Sequence, residues 1–227
     1  MSKEDIVEKI LPKQEWSVAL RINHWVMATS IFILIATGLY IARPFTVAHG
    51  ETVNKFFMGN VRFVHLLFGV ILMFIFIQRV YLAFFSRFHA DWKDFFAWTK
   101  LGNFWKQIKF YTLISKEPPA HTHLYGPLQS LAYAGLLFML FLMVVTGLIL
   151  TGAGYHGGLL RFVYSILRPV ETLLGGLVMV RYFHHVLMWC FILFIVVHVY
   201  MAFWYDIILK EGTISSMVSG RVFRRSH

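Results

Sequence analysis

A single cysteine in 227 residues, Cys190, excludes an internal disulfide and any thiolate cluster held by this chain alone. Placed in the middle of an apolar run, it is expected to be a buried, inert thiol. Charge is scarce as well: Asp, Glu, Lys and Arg make up 14% of the residues, against roughly 25% in a soluble domain. Acids are the scarcer sign, 11 against 21 bases, which leaves a net charge of +10. Such a balance is common in nucleic-acid binders. Here the bases cluster beside apolar runs, as membrane topology requires, so no nucleic-acid partner is expected. A cleavable leader is not evident either. Residues 1–14 mix acids and bases, and no small-residue cleavage site follows the first apolar run, which is therefore expected to stay in the protein.

What is abundant is apolar surface, at 58% of residues with a mean hydropathy of +0.65. Uncharged runs cover residues 25–42, 63–78, 118–160 and 182–205. A bilayer core about 30 Å thick takes about 20 residues of helix. The second run is short, but Arg79 can snorkel and let the helix continue. The spacing predicts an all-α membrane protein, one domain over residues 1–227, with four transmembrane helices at about 17–42, 63–85, 124–150 and 182–205. These spans divide the Lys and Arg residues into fifteen on one side and six on the other. The positive-inside bias then places both termini and the second loop in the cytoplasm.

Two loops stand out. Residues 89–114 interleave eight aromatics, among them Trp98, Trp105 and Tyr111, with lysines. That composition predicts a segment lying in the cytoplasmic interface, its apolar side in lipid and its lysines near anionic headgroups. The third loop, residues 151–181, is glycine-rich with apolar stretches, faces outside, and is expected to cap the protein or meet a partner.

Eleven histidines are present, and five of them, His24, His65, His184, His185 and His198, fall within spans, where ionisable groups are costly and usually functional. Depth sorts them. His24 begins the first span on the cytoplasmic side and His65 begins the second on the outside. The fourth span carries His184 at its outer end and His198 toward its inner end. At 3.6 residues per turn, positions fourteen apart return to within about 40° of one face, whereas thirteen apart point nearly opposite. His184 and His198 therefore share a face, about 21 Å apart along the axis, and His185 points elsewhere. The implied pairs are His65 with His184 and His24 with His198. Zinc wants four clustered ligands, or three and a water. Paired imidazoles at two depths suit instead two haems, each with both axial positions filled, an arrangement for electron transfer. The absence of CxxCH means haem b held without a covalent link. Gly38, Gly69 and Gly147 would let a porphyrin approach the backbone. Arg21, Arg62, Arg79 and Arg181 are candidates to pair with the propionates.

These residues spell a resemblance. Arg21-Ile-Asn-His24-Trp25, Arg62-Phe-Val-His65, Arg79-Val-Tyr81, His184-His-Val-Leu-Met-Trp189, His198-Val-Tyr-Met-Ala202 and the tail Thr213-Ile-Ser-Ser-Met-Val-Ser-Gly220 are similar to the b-type cytochrome subunit of membrane-bound nickel–iron uptake hydrogenases, over essentially the whole chain. The histidine framework is shared with cytochromes of formate dehydrogenase and thiosulfate reductase. The resemblance implies a subunit of the bacterial cytoplasmic membrane that anchors the small and large hydrogenase subunits outside. It would take electrons from the small subunit's iron–sulfur chain and pass them to menaquinone or ubiquinone, with the hydrogen chemistry left to its partners. The carried-over ligands are His24, His65, His184 and His198. Where that family often shows His-Asn-Pro before the third helix, this chain reads Tyr125-Gly126-Pro127. On the inner side His121, His123, Tyr125 and Gln129 are candidates for a quinone site. The outer loops, around residues 53–62 and 151–181, are candidates for the hydrogenase contact. A cytochrome serving another periplasmic dehydrogenase, such as formate dehydrogenase, and a transporter that relays protons through its histidines are the alternatives.

Overall fold

The computed structural model describes residues 10–45, 56–85, 101–114, 127–210 and 212–225. Four long helices carry the apolar runs: α1 (Val18–Ala42), α2 (Phe57–Phe85), α4 (Pro127–Gly152) and α6 (Leu177–Leu209). Three shorter ones, α3 (Leu101–Tyr111), α5 (Gly158–Leu174) and α7 (Thr213–Ser219), lie between or after them. All four long helices are long and apolar enough to cross a membrane. In lipid every backbone N–H and C=O must be bonded within the segment, which a continuous helix achieves. Few of the residues in these spans are fully buried inside the protein. Helix α2 starts before the span read from the sequence because helix does not stop where charge begins. Arg62 lies within it, exposed. Helix α6, at 33 residues, also overruns both ends of its apolar run.

The chain divides into two compact units. One comprises residues 25–78 and 135–194. There Leu72 of α2, Leu140 of α4 and Phe191 of α6 form a buried core, joined by Met27, Ile31 and Leu34 of α1, so all four long helices meet. A second core joins Ile149, Tyr164 and Val180, which seats α5 between the ends of α4 and α6. Helix α5 is thus a built element of the glycine-rich third loop. Tyr164 donates to Glu171 Oε2 at 2.7 Å across two turns of it. Its opposite side leaves Phe162, Ile166 and Leu173 exposed.

The other unit comprises residues 1–24, 79–134 and 195–227. Its core is Phe110 and Tyr111 of α3 against Tyr205 of α6, with Met201 and Trp204. Phe110 and Tyr111 of α3 are thus spent on protein contacts. Trp105, Lys106 and Lys109 are exposed, while residues 89–100 lie outside the described residues. Buried Gln107 accepts the Leu128 N–H at 2.7 Å and caps the start of α4.

A two-stranded antiparallel pair, β1 (Ile10–Gln14) with β2 (Arg221–Arg225), adds to the helices that the hydropathy predicts. It ties the two ends of the described chain together, and the tail motif does the rest. Glu15 and Trp16 both donate backbone N–H groups to the Gly220 carbonyl, Trp16 Nε1 donates to Ser216 Oγ at 3.1 Å, and Arg21 donates to the Val218 carbonyl. Gly220 has φ 81° and lies so close that an added Cβ would stand 2.9 Å from the Trp16 carbonyl oxygen, so only glycine fits.

Candidate cofactor sites

Histidines meet at two places. In the first unit the ring centres of His65 on α2 and His184 on α6 are 6.5 Å apart, with planes at 66°. In the second, His24 on α1 and His198 on α6 are 6.3 Å apart, with planes at 46°. Two imidazole nitrogens opposite one another on a metal, each at about 2.0 Å, stand about 4 Å apart, and the ring centres lie about 2 Å further apart again. Both separations match that arrangement. Among the described residues no three of His, Cys, Asp and Glu gather as a bare metal ion would require. The pairs therefore fit a group that brings its own equatorial ligands.

The His65–His184 site is braced from behind. Thr37 Oγ1 of α1 lies 2.8 Å from His65 Nδ1, and Thr146 Oγ1 of α4 lies 2.8 Å from His184 Nδ1. The next residue in each case is glycine. A Cβ on Gly38 would come within 3.3 Å of His65 Cε1, and one on Gly147 within 3.6 Å of His184 Cε1. These two glycines therefore make room for the histidine rings, whereas an added Cβ on Gly69 meets nothing within 4 Å. The repeated Thr-Gly-Leu at 37–39 and 146–148 was a legible signal that the sequence reading missed.

His185 points away from this site, as the thirteen-residue offset requires. It accepts a hydrogen bond from Trp189 Nε1 at 3.3 Å. Cys190 is exposed on α6 rather than buried, because its position on the helix turns it outward from the bundle core.

The four arginines differ. Arg62 and Arg181 are exposed, each three residues before a paired histidine, hence on the same helix face and one turn nearer the aqueous end. Arg21 has the same offset from His24. It donates to Val218, and its buried Nε finds no acceptor among the described residues. Arg79 is 2% exposed; it donates from Nε to the Tyr133 hydroxyl and lies 4.9 Å from that ring's centre. Gln129, on the first turn of α4, bonds Tyr111. His121, His123 and Tyr125 lie outside the described residues.

The chain is similar to known proteins over most of its length. The chain is 34% identical over 220 residues to the "Probable Ni/Fe-hydrogenase B-type cytochrome subunit" of Azotobacter vinelandii, covering 92% of this chain and 88% of the relative. It is 32% identical over 215 residues to the protein so named from Bradyrhizobium diazoefficiens, covering 92% and 85%. It is 26% identical over 230 residues to the "Probable Ni/Fe-hydrogenase 1 B-type cytochrome subunit" of Escherichia coli, covering 97% and 93%. The sequence pattern of prokaryotic cytochrome b561 matches residues 15–220, and the chain belongs to that family.

Proposed function

We propose that the chain is the b-type cytochrome subunit of a membrane-bound nickel–iron hydrogenase, carrying electrons from the iron–sulfur small subunit outside the bacterial cytoplasmic membrane to the quinone pool. The observation that carries this reading is the two facing-imidazole sites, at 6.3 and 6.5 Å, within helices suited to a membrane. The names of the relatives supply the partner.

Haem b, if held by such a pair of imidazoles, would supply a one-electron carrier. His65 and His184 would hold one such group toward the outside, and His24 and His198 one toward the cytoplasm. Arg62 and Arg181 extend from the same faces as their histidines and suit propionates at the outer end. Arg21 offers its buried Nε–H at the inner end. Sidedness rests on the excess of Lys and Arg flanking the ends assigned to the cytoplasm. Hydrogenase subunits would then dock on the outer surface, where α5 leaves Phe162, Ile166 and Leu173 exposed. Quinone would be reduced at the inner end near the start of α4, with His121, His123, Tyr125 and Gln129 available to bind carbonyls and deliver protons.

Purification of the native complex tests this. Nickel should co-purify, and the visible spectrum should show two low-spin haems b per chain. Haem without nickel would move the reading to another periplasmic dehydrogenase such as formate dehydrogenase. No haem would leave the transporter reading. Hydrogen-driven quinone reduction in proteoliposomes by His121→Ala and His123→Ala variants tests the inner site. Unchanged turnover with both haems still reduced would remove that loop from it.

A further inference from the structure

Thr37 and Thr146 are built alike, and hydrogen-bond accounting shows what each does. A threonine hydroxyl has one proton to give. Thr37 Oγ1 lies 2.7 Å from the Ile33 carbonyl and Thr146 Oγ1 lies 2.8 Å from the Leu142 carbonyl, the usual back-bond of threonine in a membrane helix. The hydroxyl proton is spent there. The oxygen's lone pairs remain, and they face His65 Nδ1 and His184 Nδ1 at 2.8 Å. A short contact to an acceptor of this kind requires a proton on Nδ1. That fixes each neutral imidazole in one tautomer, with the lone pair on Nε2.

We infer that Thr37 and Thr146 are positioning residues for the His65–His184 site. Each accepts the Nδ1–H of its histidine, which leaves Nε2 as the ligand atom, sets the ring's rotation, and makes the ligand more basic. The inference rests on the proposed haem reading for its ligand, while the tautomer argument stands on the hydrogen bonds alone. A metal-bound histidine whose other N–H is held by an acceptor is a stronger donor. The glycine after each threonine completes the device by keeping the neighbouring backbone close to the ring edge. The braces also link the helices: α1 to α2 through Thr37 and His65, and α4 to α6 through Thr146 and His184. The two helices that supply no ligand here thereby aim those of the two that do.

The test uses the full chain in its native complex, with Thr37→Val, Thr146→Val, Thr37→Ser and Thr146→Ser variants. Haem content, redox titration of each haem and low-temperature paramagnetic resonance are measured. Valine keeps the shape and removes the acceptor. A less basic ligand favours the reduced iron, so the outer haem's midpoint should move upward in each valine variant while the inner haem's stays in place. The outer haem's resonance should shift as its ring turns, and the serine variants should return both signals toward wild type. Loss of the outer haem in the valine variants with retention in the serine variants also supports the inference. It is overturned if the valine variants leave the outer potential and resonance unchanged, if serine fails as valine does, or if only the inner haem responds. A wild-type complex without haem would sink the functional reading instead, a distinct result.

Discussion

The two histidine pairs share a ring separation and little else. His65–His184 sits where four helices pack on one another, with Thr37, Thr146, Gly38 and Gly147 set against its rings. His24–His198 sits in the unit that also holds the strand pair, the docked tail, α3 and the buried Arg79–Tyr133 contact. The first is built by close helix packing and short side chains. The second lies in a unit whose other contacts are aromatic, polar and partly non-helical. Close helix packing of this kind would hold the proposed electron carrier rigidly. An end made of loops, strands and polar groups is the more suitable place for a reaction that needs protons.

The largest effects should come from the ligands themselves. His184→Ala should lose one haem of two and His24→Ala the other, whereas His185→Ala should lose neither, because His185 bonds Trp189 instead. Pyridine haemochrome assays on purified variants measure the ratio. Haem loss from His185→Ala alone would dissolve the pairing. Next comes Gly38→Val. Even a Cβ would stand 3.3 Å from His65 Cε1, so the larger side chain must push the ring off its site. Overpacking of this kind costs about 1–3 kcal/mol. Outer-haem occupancy should fall while the inner haem remains. Gly147→Ala, at 3.6 Å from His184 Cε1, makes only an ordinary contact and should be tolerated. Equal loss of both haems from Gly38→Val would show that the two sites are not separately built.

How much of this was legible depended on range. Four spans follow from hydrophobic runs, which are local, and the two facing histidine pairs follow from depth and helical period applied to four histidines. The bracing threonines were not read, because a threonine in an apolar run looks like any back-bonded membrane threonine. Only the repetition of Thr-Gly-Leu at 37 and 146 marks it. The glycines around α5 suggest a loop, but they stand at its two ends and leave the helix between them uninterrupted. The packing of Phe110 and Tyr111 on Tyr205 is a long-range contact that the local composition of α3 does not reveal. The strand pair joins residues more than 200 positions apart, beyond any window of periodicity.

In the second unit, Tyr133→Phe is the sharper probe. It removes the hydroxyl that accepts from the buried Arg79 Nε. Hydrogen bonds to charged groups contribute about 1.5–3 kcal/mol. The variant should melt earlier and should disturb the inner haem before the outer one. A thermal scan followed at each haem's absorbance checks the order. Simultaneous loss would mean that the two units do not respond separately.

The smallest expected effect is at Tyr111, on the same side of the comparison but outside the spans. Its ring is buried against Phe110 and Tyr205, and its hydroxyl bonds Gln129. Burial pushes the phenol up to about 12, with the Gln129 bond acting in the opposite direction. A folded-state value above the ordinary one near 10 means that folding favours the protonated form. The contribution is therefore complete below pH 10 and is lost as pH rises through about 12. Tyr111→Phe should cost about 1 kcal/mol at neutral pH through the lost hydrogen bond. It should also remove the part of the alkaline destabilisation that belongs to this group. The difference between wild type and variant, followed between pH 10 and 12 by hydrogen exchange of α3 amides, isolates Tyr111 from the other tyrosines and the lysines. Wild-type α3 should open progressively over that range while the variant's added opening stays flat. If both open in parallel, Tyr111 is not what anchors α3 to α6. The seal at this end would then rest on Phe110 and on the bond from Trp204 Nε1 to the Phe110 carbonyl at 3.2 Å.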